Sequence, residues 1–149
     1  YDFVKVLDFG IAKDLKVDDL ELTGNRVVGT PAYLAPETFL DKEHIDQTID
    51  IYALACVAYR ALTNRQLFQG DSVVACFSEH MTVEPAPIRE FAENENIPIE
   101  FEALLLRCLA KKPELRPHSE ELLNALIEIE QKYQWSYQDA KEWWHGIDL

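Results

Sequence analysis

Positive charge is scarce in this chain: 14 lysine and arginine residues stand against 27 aspartate and glutamate residues, a formal net charge of −13 over 149 residues. A surface of that balance repels phosphate backbones and anionic lipid headgroups, which excludes nucleic acid and an anionic membrane surface as direct partners. A solubilising acidic exterior is the ordinary explanation, and an electrostatic preference for basic substrates is the sharper one. Cysteine is also sparse. Cys56, Cys76 and Cys108 are odd in number, far apart and each in an apolar helical setting, the pattern of buried free thiols and not of a disulfide framework. There is no Cys-x-x-Cys spacing and no histidine pair at helical spacing, and His44, His80, His118 and His145 are scattered, so no zinc site is assigned. No apolar run reaches the length of a membrane span, and the first residues lack the charged and apolar regions of a signal peptide. The expected location is cytoplasmic, with a membrane span elsewhere in a longer parent left open.

What is present is globular. Hydrophobic residues make up 48% of the chain and aromatics 11%, enough for one domain with a real core. Phe3 to Leu7 alternates apolar and polar side chains, which predicts a short strand ending at Asp8. From Asp14 to Arg26 the chain is polar and acidic without a sustained period, and Gly24-Asn25 signals a turn, so this stretch is expected to be a loop. Residues 48–62 are apolar on nearly every face, which predicts a buried central helix capped by Thr48 and closed by Thr63-Asn64. A second helix is predicted from Asp71 to about Met81, with Val73, Val74, Phe77 and Met81 as its apolar stripe, ended by Glu84-Pro85-Ala86-Pro87. Further helices are predicted over Ile99–Ala110, from Pro117 to about Tyr133, and, capped by Ser136, over Tyr137–Trp144.

Two motifs stand out by order and spacing. Asp8-Phe9-Gly10, followed by Ile11-Ala12-Lys13, precedes Gly29-Thr30-Pro31-Ala32-Tyr33-Leu34-Ala35-Pro36-Glu37, and an apolar helix carrying Asp50 lies beyond. Together they resemble the activation segment and central helix of a protein kinase, of the bacterial, eukaryotic-like serine/threonine type. The resemblance implies a mainly α chain: the helical C-lobe of a protein kinase-like fold with a short N-terminal strand. It implies a C-lobe over residues 1–133, with the activation segment at 8–37 and the central helix at about 48–62, followed by an appended aromatic helix at 134–149.

The same resemblance assigns expected roles residue by residue. Asp8 is the Mg2+ ligand, Phe9 packs beside it, and Gly10 lets the backbone reverse, so that these three residues meet the ATP-bound metal. An Asp before a glycine is also an ordinary turn former. Thr30 resembles the threonine that supports the catalytic loop in kinases acting on serine and threonine. Glu37 is expected to pair with Arg116 of Lys112-Pro113-Glu114-Leu115-Arg116-Pro117 in a buried anchor. Asp50 resembles the aspartate that receives backbone N–H groups of the catalytic loop, although an acidic residue near a helix start is also favoured by the helix dipole. The usual Ser-Leu-Gly after that position is here Ala53-Leu54-Ala55. Thr23 is the only hydroxyl between Asp8 and Gly29, which makes it either a phosphosite or a solvated loop threonine. The aromatic cluster Trp135, Tyr137, Trp143 and Trp144 is expected to pack on the lobe or, second, to bind a partner.

Because no glycine-rich loop, strand lysine or His-Arg-Asp motif precedes Asp8, the catalytic aspartate is expected upstream of Tyr1 and the isolated chain is expected to be inactive. The implied cofactors are ATP and Mg2+, and the implied partners are protein substrates. A homodimer or an exchanged activation segment is expected to cover the face left open. The rival class is a pseudokinase or a stand-alone docking module.

Overall fold

A helix that is apolar all round needs neighbours on several sides, and the residues from Thr48 to Thr63 supply the axis on which the others assemble. The structure, a computed structural model, describes residues 31–40, 46–91 and 97–145. The expected strand at 3–7, the loop at 14–26 and the motif Asp8-Phe9-Gly10 lie outside the described residues, as do Thr23 and Thr30. Six α-helices occur among the described residues: α1 (Glu37–Leu40), α2 (Thr48–Thr63), α3 (Val73–Thr82), α4 (Ile99–Cys108), α5 (Ser119–Lys132) and α6 (Tyr137–His145). Single 3-10 turns occupy Pro31–Tyr33, Ile88–Glu90 and Pro113–Leu115. The fold is mainly α, and no strand occurs among the described residues.

Helix α2 packs on α4, and α4 packs on α5. The Pro31–Tyr33 turn sits against both α2 and α3, held in part by the Arg60 guanidinium, which donates to the Tyr33 hydroxyl at 2.9 Å. Ile51, Tyr52, Ala55, Cys56 and Tyr59 of α2 meet Leu67, Phe68, Ile88, Leu105, Cys108, Leu109 and Leu122 in one core. All three cysteines are buried and free. Burial pushes the Cys56 thiol up to about 12 and the Cys108 thiol up to about 11.

Four local expectations need correction. The start of α2 is not capped by Thr48: the Asp46 carboxylate accepts from the Thr48 backbone N–H at 2.8 Å and from its hydroxyl at 2.5 Å, so Thr48 becomes the first helical residue. Those two bonds hold the Asp46 carboxyl below its usual range. Asn64 closes the helix in the left-handed region at φ 54°, its N–H returning to the Arg60 carbonyl. Secondly, α2 is not covered on every side: Leu54 and Val57 remain 56% and 53% exposed. Leu54 and Ala58 form one wall of an apolar trough of about 200 Å³, with Phe101, Leu104 and Leu126 opposite.

Thirdly, α3 is rotated relative to its expected stripe. Cys76, Phe77 and His80 are buried, while Val74 is 73% exposed and Val73 also faces outward. Ser72 caps α3 by accepting from Ala75 N–H, and the chain before it runs so close that a methyl on Gly70 would lie 2.3 Å from the Cys76 nitrogen. Fourthly, the described rings of the aromatic cluster are largely exposed: Trp135, Tyr137 and Trp144 are each more than half exposed, and Ala140 is the buried residue among the described side chains of α6. Ser136 does cap α6, its hydroxyl accepting from Asp139 N–H at 3.1 Å while the Asp139 carboxylate accepts from Ser136 N–H at 2.7 Å.

Candidate functional site

The segment ending in Ala35-Pro36-Glu37 turns into α1 at a glutamate, and that glutamate is buried. A buried carboxylate needs a cation and hydrogen-bond donors together, because desolvating it alone costs more than the fold can spare. The cation comes from 79 residues further on. Arg116 follows the Pro113–Leu115 turn in extended backbone and is fixed ahead of a buried proline, Pro117. Its side chain is 0% exposed.

Each of the five guanidinium N–H groups has an acceptor. Nη1 donates to Glu37 Oε1 at 2.5 Å and to the Thr48 carbonyl at 3.2 Å. Nη2 donates to Glu37 Oε2 at 2.8 Å and to the Lys111 carbonyl at 3.3 Å, and Nε donates to the Ala110 carbonyl at 2.8 Å. This is the two-pronged geometry that arginine offers and lysine cannot. It ties four pieces of chain at one point: α1, the first turn of α2, the exit of α4 and the approach to α5. The Tyr52 ring lies against the guanidinium, 4.8 Å from Cζ to the centroid.

Asp50 is placed apart from this clamp. It sits on the first turn of α2, exposed, and its carboxylate has no partner among the described residues. Of the residues singled out in the sequence, Glu37 and Arg116 are brought together. Asp8, Phe9, Gly10, Thr23 and Thr30 lie outside the described residues. Among the described residues no group of three His, Cys, Asp or Glu side chains is arranged to hold a metal ion. No described helix is long and apolar enough to cross a membrane.

Sequence reasoning missed Tyr52 and His80. Both are 0% exposed, and the Tyr52 hydroxyl lies 2.9 Å from His80 Nδ1. Phe68 presents its ring to the imidazole at 4.9 Å and 80°. Lys111 sits 4.4 Å above the Phe68 ring. Burial, with Lys111 adding to it, draws the imidazole down to about 4, and burial draws the Lys111 amine down to about 8. The signal that could have found His80 is its place three residues after Phe77, on the same face of α3.

Comparison with known proteins adds to this geometry. The model of the protein kinase domain family matches residues 1–126. The chain is 39% identical over 134 residues to the serine/threonine-protein kinase pkn3 of Myxococcus xanthus, covering 88% of this chain and 24% of that protein. It is 39% identical over 114 residues to the serine/threonine-protein kinase PknB of Mycobacterium leprae, covering 76% of this chain and 18% of that protein. It is 39% identical over 117 residues to the serine/threonine-protein kinase PknE of Mycobacterium tuberculosis, covering 77% and 19%. The chain therefore spans less than a quarter of the length of these relatives.

Proposed function

The chain belongs to the protein kinase domain family, and on that premise we propose that it is the helical C-lobe of a serine/threonine kinase whose parent transfers the γ-phosphoryl group of ATP to protein hydroxyls. What supports this most is the Glu37–Arg116 clamp: it fastens the end of the proposed activation segment to three other parts of the lobe through a fully satisfied guanidinium. A platform for a protein substrate needs such a fixed end, because the segment before it must hold one geometry while the substrate hydroxyl is presented.

In this reading residues 1–133 are the lobe and 134–149 the appended helix. Asp8, followed in sequence by Phe9 and Gly10, would hold Mg2+, which would supply charge neutralisation to the phosphates of ATP. Thr30 supports a catalytic loop contributed from upstream, Asp50 receives that loop's backbone N–H groups, and Thr23 is the phosphosite of the segment. Glu37 and Arg116 touch no reacting atom and act as an anchor. The proposed partners are protein substrates and a second copy of the chain, as a homodimer or through an exchanged activation segment, which light scattering across a concentration series reads out.

The reading is tested in the full-length parent. Asp8→Asn is expected to lose nearly all transfer of labelled γ-phosphate to protein while leaving the fold intact. The 149-residue chain by itself is expected to show none. Unchanged transfer in the parent variant would remove Asp8 from the metal, and turnover by the isolated chain would overturn the division of labour.

A further inference from the structure

The Tyr52–His80 pair is a buried polar link between two helices. Tyr52 belongs to α2 and His80 to α3, 28 residues apart, with both side chains sealed from solvent. On its other side the Tyr52 ring meets the Arg116 guanidinium, which grips Glu37. We propose that His80 is a positioning residue for the Glu37–Arg116 clamp, acting through the Tyr52 hydroxyl. A continuous line then runs from α3 through α2 to α1.

Counting donors and acceptors gives the pair a direction. A buried tyrosine O–H needs an acceptor, and His80 Nδ1 is its partner at 2.9 Å. If Nδ1 carried the proton, the Tyr52 O–H would lose that acceptor and the bare Nε2 lone pair would also be unmatched. If Nε2 carries the proton, the Tyr52 O–H donates to Nδ1 and one group, Nε2–H, is left without a partner. The second arrangement leaves fewer orphans, with Nε2, a buried atom without a partner among the described residues, as the one left over. The imidazole stays neutral at pH 7 because it is buried and faces Lys111, and Glu79 beside it leaves one carboxylate oxygen buried and unpartnered.

Donation by the hydroxyl matters for the ring. A phenol that gives its proton into a hydrogen bond carries more negative charge on its face, which strengthens its hold on a guanidinium lying there. The same bond stops the ring from sliding along its own plane. Without it, Arg116 keeps its ion pair and the ring face, but the ring is less fixed and less negative, so the tilt of the fork is held less firmly and the bidentate grip on Glu37 loosens. This inference does not depend on phosphotransfer, since every readout below is taken on side chains of the 149-residue chain.

The experiment uses nitrogen-labelled protein. In the unmodified chain, His80 is expected to show the nitrogen signature of a neutral ring protonated at Nε2. The order parameter of the Arg116 Nε–H, a property of the folded state and not of the unfolding equilibrium, is expected to lie in the rigid range near 0.85 and to fall below about 0.6 in His80→Leu and in Tyr52→Phe. His80→Asn, whose Oδ1 takes the place of Nδ1 as acceptor, is expected to restore it. In the Tyr52→Phe background, His80→Leu is expected to add nothing. Leu105→Ala, a core cavity outside the line, is expected to leave Arg116 rigid. A rigid Arg116 in folded His80→Leu or Tyr52→Phe would overturn the proposal. So would failure of Asn to rescue, or a ring protonated at Nδ1. Should the leucine variant not fold, Tyr52→Phe and the protonation state of the unmodified ring decide the matter alone.

Discussion

Two arginine–glutamate pairs in this molecule have the same shortest N···O distance, 2.5 Å, and differ in almost everything else. Arg116 and Glu37 are sealed in the junction of α1, α2 and the approach to α5, with the arginine side chain 0% exposed. Arg107 and Glu121 join α4 to α5 on the outside, each about half exposed. Arg107 makes one further bond, from Nε to the Leu115 carbonyl at 3.3 Å, whereas Arg116 reaches three backbone carbonyls as well as both carboxylate oxygens. A second exposed pair, Lys132 with Glu100, joins the other end of the same two helices. Distance therefore says little about worth. The buried pair has given up water and depends on its partners for every donor, while the exposed pairs trade one set of hydrogen bonds for another that water can replace.

The comparison breaks most visibly at Arg116. Arg116→Ala leaves a buried carboxylate without a cation, and the expected loss of stability is about 3–5 kcal/mol in denaturant unfolding of the 149-residue chain. Replacing both partners, as Glu37→Leu with Arg116→Met, is expected to cost less than either single change, because no unpaired charge remains. Additive costs in that cycle would mean that the two side chains do not depend on each other. A loss near zero for Arg116→Ala would place the pair in the same class as Arg107 and Glu121.

Acid sharpens the same contrast between interior and surface. His80 binds its proton at about 4 in the folded chain and near 6.5 when unfolded. Between those values the unfolded state holds more protons, so stability must fall as pH is lowered from about 6.5 to about 4. The two values differ by about 2.5 units, which corresponds to a loss of roughly 3 kcal/mol over that window. Lys111 faces the same aromatic group, and its lowered value gives the same sign at the alkaline end: stability rises with pH from about 8 to 10.5. Exposed carboxylates held below their usual range, such as Glu100 and Glu121, release their contribution only at lower pH. Unfolding curves taken across pH 4 to 7 on the unmodified chain and on His80→Asn test this: the variant should lose the slope. A slope that survives would assign the acid sensitivity to other groups.

How much of this was legible in the sequence follows the same division. The ends of α2 were readable to within a residue, because Thr48 and Asn64 bracket an apolar run, yet the role of Thr48 was not: it lies inside the helix and donates to Asp46. Asp46 and Thr48 both have the chemistry of a cap, and only the turn between them decides which carboxylate or hydroxyl faces the free N–H groups. The run from Val73 to Met81 fits a helix in more than one rotation, and the one observed turns His80 toward Tyr52 and Phe68, partners that the local pattern does not name. Glu37 and Arg116 were named from motif resemblance. The carbonyls of Thr48, Ala110 and Lys111 that complete the guanidinium were not, since a backbone oxygen leaves no mark in residue identity. His80 is polar by type and so was passed over as a core residue. The exposed flank of α2 is equally instructive: Leu54 and Val57 are as apolar as Ile51 and Tyr52, and hydropathy cannot tell the covered side from the open one.

The smallest effect is expected at the exposed pair, and it is the control on which the comparison rests. Arg107→Ala removes the ion pair with Glu121 and the bond to the Leu115 carbonyl, and leaves behind a carboxylate that water can reach. Exposed pairs of this kind contribute little, because water and salt screen them, so the expected loss is small beside that of Arg116→Ala. It should shrink further as salt is raised from about 0.01 M to 1 M, because the screening length falls from about 30 Å to about 3 Å. Arg116→Ala should show little such dependence, since salt does not enter the junction where Glu37 lies. Measuring both variants in the same salt series separates the two kinds of pair without reference to distance. If Arg107→Ala cost as much as Arg116→Ala, or if the cost of Arg116→Ala fell away with salt, burial would not be what distinguishes them.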